Sequence, residues 1–132
     1  MLLVDSCVWI DLLKGHETPA VRRLKEVQSN RSPEICINGI IYFEVLRGIA
    51  SDIDRKRVQQ QFDLLERRDF LPSGFHHLVA QALEAQREGS TLKKLGDWLI
   101  VKTVVDHSLI LLTSDKDFRR LQQYVSFALE PL

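Results

Sequence analysis

Short apolar segments alternate with longer segments of helical periodicity along this chain of 132 residues. A strand buried on both faces is apolar for only a few residues, whereas a helix needs a longer amphipathic stretch. Four short segments are predicted as strands: residues 2–4, 34–37, 109–113 and 125–129. An extended link at 70–72 leaves room for a fifth. Strands that alternate with helices predict an α/β fold with a central, mainly parallel sheet of four to five strands.

Caps and breakers give the limits of the predicted helices. Gly15 and Gly89 end two of them, while Thr18, Asn38, Ser51 and Ser73 can cap the starts of others. Seven helices are expected: residues 6–14, 18–28, 39–50, 51–68, 73–88, 97–107 and 115–124. No repeat or low-complexity tract divides the chain, so residues 1–132 are predicted to form a single domain.

Composition argues against a disordered chain and against a protein with a strong overall charge. Hydrophobic residues make up 45% of the chain, which is enough for an ordinary core. The 18 basic and 18 acidic residues balance, so any nucleic-acid site needs a local basic rim. The two cysteines, Cys7 and Cys36, are interpreted as small buried hydrophobes rather than a disulfide. Without a signal peptide or a long apolar run, the protein is expected in the cytoplasm.

Four acidic residues lie in or beside apolar segments that should be buried: Asp5, Glu44, Asp97 and Asp115. Ligand sites of open parallel sheets lie beyond the carboxyl ends of the strands, and Asp5 and Asp115 each follow a predicted strand. Unpaired carboxylates are costly in such surroundings, and a shared Mg²⁺ or Mn²⁺ would relieve their repulsion. The residues alone therefore favour a metal-dependent hydrolase that acts on phosphodiesters.

Each acid also has an ordinary structural interpretation. Asp5, Asp97 and Asp115 could be helix N-caps, and Glu44 could pair with Arg47 on a partly exposed helix. All four alternatives would have to hold together for the cluster to be accidental.

Three further polar residues are candidates for support of the cluster. Asp117 could hold a ligand through water, and the hydroxyls of Ser6 and Thr113 could orient a carboxylate or a metal-bound water. Local capping would explain these residues equally well. None of the four histidines has the spacing of a zinc site.

Four motifs follow one another along the chain: MLLVDSCVWIDLLKG, IIYFEVLRG, REGSTLKKLGDWLIV and LILLTSDKDF. In this order they resemble the PIN-domain family, and most closely its VapC-type toxin ribonucleases. Each motif contains one of the four acids, and together they span nearly the whole chain. The chain departs from the usual pattern at Val101 and Lys102, and it has Lys93 or Lys94 where an arginine is common. Contacts with substrate near these lysines could therefore differ.

The resemblance implies a three-layer PIN-like domain and an endoribonuclease of a toxin–antitoxin system. Asp5, Glu44, Asp97 and Asp115 would be both catalytic residues and ligands of one or two Mg²⁺ or Mn²⁺ ions. The metal would activate a water for attack on the RNA phosphate.

Substrate charge has to be met by basic side chains near the acids. The possible RNA contacts are Arg47, Lys93, Lys94 and Lys116, and Lys14, Arg119 and Arg120 are further candidates for a basic rim.

The resemblance also implies a homodimer and a VapB-type antitoxin that binds a groove between helices. Six apolar residues could line such surfaces or could instead fill the core: Val21, Leu24, Ile49, Val58, Phe62 and Leu65. Two rival functions keep the same fold: a noncatalytic PIN-like binding module, and a DNA-directed or structure-specific nuclease with the same acids.

Overall fold

The computed structural model of the chain describes residues 1–89 and 94–132. Within these residues a five-stranded, all-parallel sheet is flanked by seven helices. The strands are β1 (Leu2–Val4), β2 (Ile35–Ile37), β3 (Glu66–Arg67), β4 (Ile110–Leu112) and β5 (Ala128–Leu129). The helices are α1 (Ser6–Leu13), α2 (Pro19–Asn30), α3 (Gly39–Arg47), α4 (Asp52–Asp63), α5 (Phe75–Arg87), α6 (Leu95–Asp106) and α7 (Asp117–Leu121). The predicted fold class is confirmed.

The strand order is β3-β2-β1-β4-β5, with β1 at the centre. Leu3 stands beside Cys36 of β2 on one side and beside Leu111 of β4 on the other. The chain moves outward from β1 in one direction through β2 and β3, and in the other direction through β4 and β5. A crevice therefore opens beyond the carboxyl ends of β1 and β4, where ligands bind in open α/β sheets.

Most helix starts follow the predicted chemistry. Thr18 accepts a hydrogen bond from the Val21 amide at 3.1 Å, and Asn38 Oδ1 accepts one from the Ile41 amide at 2.9 Å. Gly15, with φ +76°, ends the first helical segment in the left-handed region that glycine tolerates best. Local side-chain chemistry therefore sets these ends of α1, α2 and α3.

The third strand lies where a helix was predicted. Helix α4 ends at Asp63 instead of continuing to residue 68, and Glu66–Arg67 pairs in parallel with β2. The prediction was wrong because this charged segment has good helical propensity, whereas its strand state is stabilised by a neighbour distant in sequence. The link at 70–72 is not a strand.

Two helix starts also differ from the prediction. Gly74, rather than Ser73, occupies the N-cap position of α5. Helix α6 begins at Leu95, so Asp97 lies in its first turn and Lys94 occupies the N-cap position. The capping interpretation of Asp97 is therefore wrong, since the carboxylate lies inside the helix.

The core lies between the sheet and its helices and includes three of the residues that had been considered for partner surfaces. Val21, Leu24 and Phe62 are buried, with Phe62 packed edge-on against the indole of Trp9. The hypothesis that these three line a binding surface is wrong, because their side chains are already buried in the core.

Lys102 is also turned inward. Its side chain is 5% exposed, and its Nζ donates at 2.7 Å to both the Ser73 carbonyl oxygen and Asp106 Oδ2. Asp106 Oδ2 in turn accepts a hydrogen bond from the Leu71 amide at 2.8 Å. The buried ammonium is thus neutralised and anchors the segment before α5, so a contact between Lys102 and substrate is excluded.

Candidate active site at the carboxyl edge of the sheet

Asp5 lies at the crevice between β1 and β4. It directly follows β1, its amide donates to the Leu112 carbonyl of β4 at 2.9 Å, and its side chain is buried. Oδ1 accepts the Ser6 amide at 2.8 Å, while Oδ2 accepts the Thr113 hydroxyl at 2.7 Å. Asp5 is therefore both the predicted N-cap of α1 and a carboxylate held rigidly at the switch point of the sheet.

Thr113 couples Asp5 to Asp115. While its hydroxyl donates to Asp5, the same oxygen accepts the Asp115 amide at 3.0 Å. Asp115 is exposed, and its Oδ1 accepts the Asp117 amide at 2.9 Å, so it does cap the turn before α7. The structure thus gives Thr113 the orienting contact that was predicted for it.

Ser6 and Asp117 support the acids mainly through the backbone. The contact between Ser6 and Asp5 is made by the main-chain amide of Ser6, where the prediction had invoked its hydroxyl. The amide of Asp117 binds Asp115, and its carboxylate lies 3.8 Å from the Arg120 guanidinium.

Glu44 reaches the same region from α3. Its Oε1 is buried, and among the described residues this oxygen has no hydrogen-bond partner. Burial and the negative charges of Asp5 and Asp97 raise the pKa of Glu44, and the positive charges of Arg47 and Lys94 partly oppose this. Asp97 thus stands near Glu44 at the start of α6, although α3 and α6 are far apart in sequence.

Burial is also the main reason that the pKa of Asp5 is raised, and the charge of Asp115 adds to it. Hydrogen bonds from Thr113, Cys7 and Ser6 oppose the effect of burial. Repulsion therefore links Asp5 with Asp115, Asp5 with Glu44, and Glu44 with Asp97. The structure brings all four predicted acids to one end of the sheet.

The acids suit a hard divalent cation in their chemistry. All four offer carboxylate oxygens, and the buried Oε1 of Glu44 is an oxygen in need of a partner. As the side chains stand, the described residues contain no set of three histidine, cysteine or acidic groups that could hold one ion. The chemistry of the donors therefore fits the ion, whereas their arrangement among the described residues does not surround one.

The sequence had given no sign of the polar contacts of Cys7. Its Sγ lies 3.3 Å from Asp5 Oδ2 and 3.3 Å from Ser114 Oγ, whereas Cys36 is a buried thiol in β2. Burial and the nearby Asp5 raise the pKa of Cys7 to about 11, so the thiol stays protonated. Spacing in the sequence could not reveal this, because Ser114 is brought to Cys7 by the pairing of β1 with β4.

The predicted basic contacts differ in their surroundings. Lys94 and Lys116 are exposed, while the Arg47 guanidinium lies over the Phe43 ring, 5.4 Å from its centroid. Arg47 and Lys94 stand close enough to Glu44 to lower its pKa. Lys93 lies outside the described residues.

The site can be compared with known proteins now that its geometry is defined. The family model of the PIN domain matches residues 2–123, nearly the whole length of the chain. The chain belongs to the PIN domain family. The resemblance predicted from the four motifs is therefore confirmed. The comparison with curated proteins found no match.

Several solved structures share the fold. VapBC2 from Rickettsia felis, bound to a DNA fragment from its promoter, superposes with a TM-score of 0.72 and 19% identity, covering 98% of this chain and 96% of that chain. A toxin–antitoxin complex from Klebsiella pneumoniae gives 0.70 and 24%, with 96% and 97% covered. VapBC-1 from nontypeable Haemophilus influenzae gives 0.73 and 15%, with 98% and 96% covered. This PIN domain is thus similar in fold to chains of toxin–antitoxin complexes.

No helix in the described residues is both long enough and apolar enough to cross a membrane.

Proposed function

We propose that this PIN domain is a Mg²⁺- or Mn²⁺-dependent endoribonuclease and the toxin of a VapBC-type pair. The observation that carries the proposal is the pairwise repulsion that links Asp5 with Asp115 and Glu44 with Asp5 and Asp97, together with the buried, unpartnered Oε1 of Glu44. PIN-family membership supports a nuclease. The solved complexes of similar fold support a toxin, and such a toxin would act in the cytoplasm.

Asp5, Glu44, Asp97 and Asp115 would hold the metal. A bound divalent ion lowers the pKa of its water and stabilises negative charge on a phosphate. Thr113 and the Ser6 amide keep Asp5 in one orientation, which reduces the side-chain freedom that binding must remove. Arg47, Lys94 and Lys116 would offset the phosphate charge of RNA at the rim, and Lys93 is proposed for the same role.

A nuclease assay tests the proposal. Purified, partner-free protein is incubated with structured and unstructured RNAs in Mg²⁺, Mn²⁺ or chelator, beside Asp97→Asn. Discrete cuts that need metal and disappear in the variant are expected. An intact RNA pool, from a folded protein that binds no metal, would sink the enzyme hypothesis and leave a noncatalytic binding module. Equal cleavage of DNA would favour the rival function, a DNA-directed or structure-specific nuclease that uses the same acids.

A groove between α1, α3 and α4 supports the proposed antitoxin. It has a volume of about 490 Å³ and includes Ile10, Leu13, Val45, Ile49 and Val58. Leu13 is 49% exposed, so the groove offers apolar surface to an amphipathic helix. Substitution of Val58 by Glu should abolish co-purification of a VapB-type partner, and retention of that partner would refute this location.

The proposed homodimer has a candidate surface on α5. Phe75, Val79 and Leu83 recur every four residues and are 36%, 41% and 55% exposed. Such spacing places them on one face of the helix. A monomeric mass in light scattering at micromolar concentration would contradict the dimer.

A further inference from the structure

A second cavity adjoins the acid cluster on the side of α7. It has a volume of about 750 Å³ and lies between the start of α2, α7 and the segment that follows β5. Thr113, Ser114 and Asp115 form its wall toward the acids. Because Thr113 also binds Asp5 at 2.7 Å, the cavity and the cluster share one boundary.

The charge of this cavity is positive overall. Lys116, Arg119 and Arg120 line it and are exposed. Of the two acids there, Glu130 is paired with Arg23 at 2.7 Å, and Asp115 belongs to the cluster. Arg120 lies 3.8 Å from Asp117, whereas neither Lys116 nor Arg119 forms an ion pair with a described residue. Two cations are therefore available to an anion.

The rest of the lining is mainly apolar. Pro19 is exposed and Leu129 is half-buried, so both supply apolar surface to the cavity, while Ala20 is fully buried. A cavity of this size fits a nucleotide, since small-molecule sites are about 300–1,000 Å³. Apolar surface and available cations in one cavity suit a ligand with one flat face and one charged end, which describes an unpaired nucleotide.

We propose that this cavity binds the nucleotide next to the cleaved phosphodiester, with its base against Pro19 and Leu129 and its phosphate on Arg119 and Lys116. The proposal rests on the function proposed above and adds the position and chemistry of one substrate subsite. Single-stranded RNA is favoured over duplex because only an unstacked base could enter. Arg119 is a substrate-binding residue here, outside the acid cluster.

Binding is measured with full-length Asp97→Asn, which should not cut, and a labelled ten-nucleotide single-stranded RNA of mixed sequence. The variants Arg119→Glu and Arg119→Lys are compared with Arg57→Glu, an exposed arginine on α4. Arg119→Glu should weaken binding about ten-fold and reduce the slope of log affinity against log salt by about 0.7, because one phosphate contact is lost. Arg119→Lys should retain most of the affinity.

The role of the base is tested with an abasic oligomer of the same length and phosphate count. Loss of the apolar contact should weaken its binding about five-fold relative to RNA. Equal affinity for both oligomers would overturn the base site, and equal effects of Arg119→Glu and Arg57→Glu would overturn the phosphate site.

Cleavage separates this inference from the proposed function. In the background with Asp97 intact, Arg119→Glu should raise KM more than it lowers kcat. Normal metal-dependent cleavage with an unchanged KM would refute the subsite alone. No cleavage and no RNA binding by either parent protein would refute the proposed function together with the subsite.

Discussion

Removal of the Glu44 charge should stabilise the protein without metal and weaken its stabilisation by metal. Glutamate at this position brings a third negative charge close to those of Asp5 and Asp97. The variant Glu44→Gln keeps the size of the side chain and an oxygen, but it loses the charge. Its amide can also donate to a neighbouring carboxylate. In buffer without divalent cations, Glu44→Gln should therefore have the larger free energy of unfolding.

The expected gain is about 1 kcal/mol. A buried polar atom without a partner costs about 1–3 kcal/mol. The lower end applies because Glu44 is only partly buried and solvent screens its repulsion. For a domain of this size, the gain corresponds to a rise in Tm of about 3 °C.

Metal should reverse the order of stability. A cation present at about 100 times its Kd stabilises a protein by about 2.7 kcal/mol, and only the wild type should receive this in full. Thermal unfolding is followed by circular dichroism in chelator and in increasing Mn²⁺, for wild type, Glu44→Gln and Glu34→Gln. Glu34 is an exposed glutamate just before β2, at the opposite end of the sheet, and serves as the matched control.

Two results would refute the reasoning. A lower Tm for Glu44→Gln in chelator would mean that the Glu44 carboxylate is stabilised in the fold rather than repelled. An equal rise in Tm with Mn²⁺ in all three proteins would mean that the cation binds elsewhere.

Two further predictions concern single contacts, and a third concerns pH. Thr113→Val should cost about 1 kcal/mol through the lost hydrogen bond to Asp5 and should weaken Mn²⁺ binding in calorimetry, while Thr113→Ser retains both; equal Kd values for the two variants would contradict this. Lys102→Met should cost about 2 kcal/mol in urea unfolding, because it leaves the half-buried Asp106 without its cation, and a loss below about 1 kcal/mol would contradict the role of this pair. The pKa values of Asp5 and Glu44 are raised in the folded state, so the folded protein binds more protons than the unfolded chain above about pH 4. The free energy of unfolding without metal should therefore fall as pH rises through that interval. An increase would show that other groups dominate the pH dependence.

Asp5 and Glu44 could be singled out from the sequence because each is an anomaly in its local surroundings, whereas Asp97 and Asp115 were chosen for their positions at a predicted helix start and after a predicted strand. Glu44 interrupts an apolar helical segment, and Asp5 directly follows an apolar strand. A charge in such a place is costly unless it has a partner, so a functional site could be predicted from local pattern alone. The caps at Thr18 and Asn38 were predictable for a similar reason, since each depends on bonds within four residues.

Contacts between distant parts of the chain could not be predicted in this way. Thr113 binds Asp5 across 108 residues of sequence, and Cys7 meets Ser114 across 107. These contacts exist only because β1 pairs with β4. Many strand orders are compatible with the same alternation of segments, so the sequence pattern does not select among them.

The sequence by itself determined the α/β fold class and indicated a candidate acidic site at the strand ends, because burial and capping act over a few residues. Tertiary structure decided that Glu66–Arg67 is a strand, that Lys102 points inward, and that a cationic cavity adjoins the acids. In each case the structure depends on a segment far along the chain. The strand pairs with β2, the lysine donates to the Ser73 carbonyl, and the start of α2 forms part of the cavity wall. Local sequence preferences do not include contacts with residues that only the fold brings close.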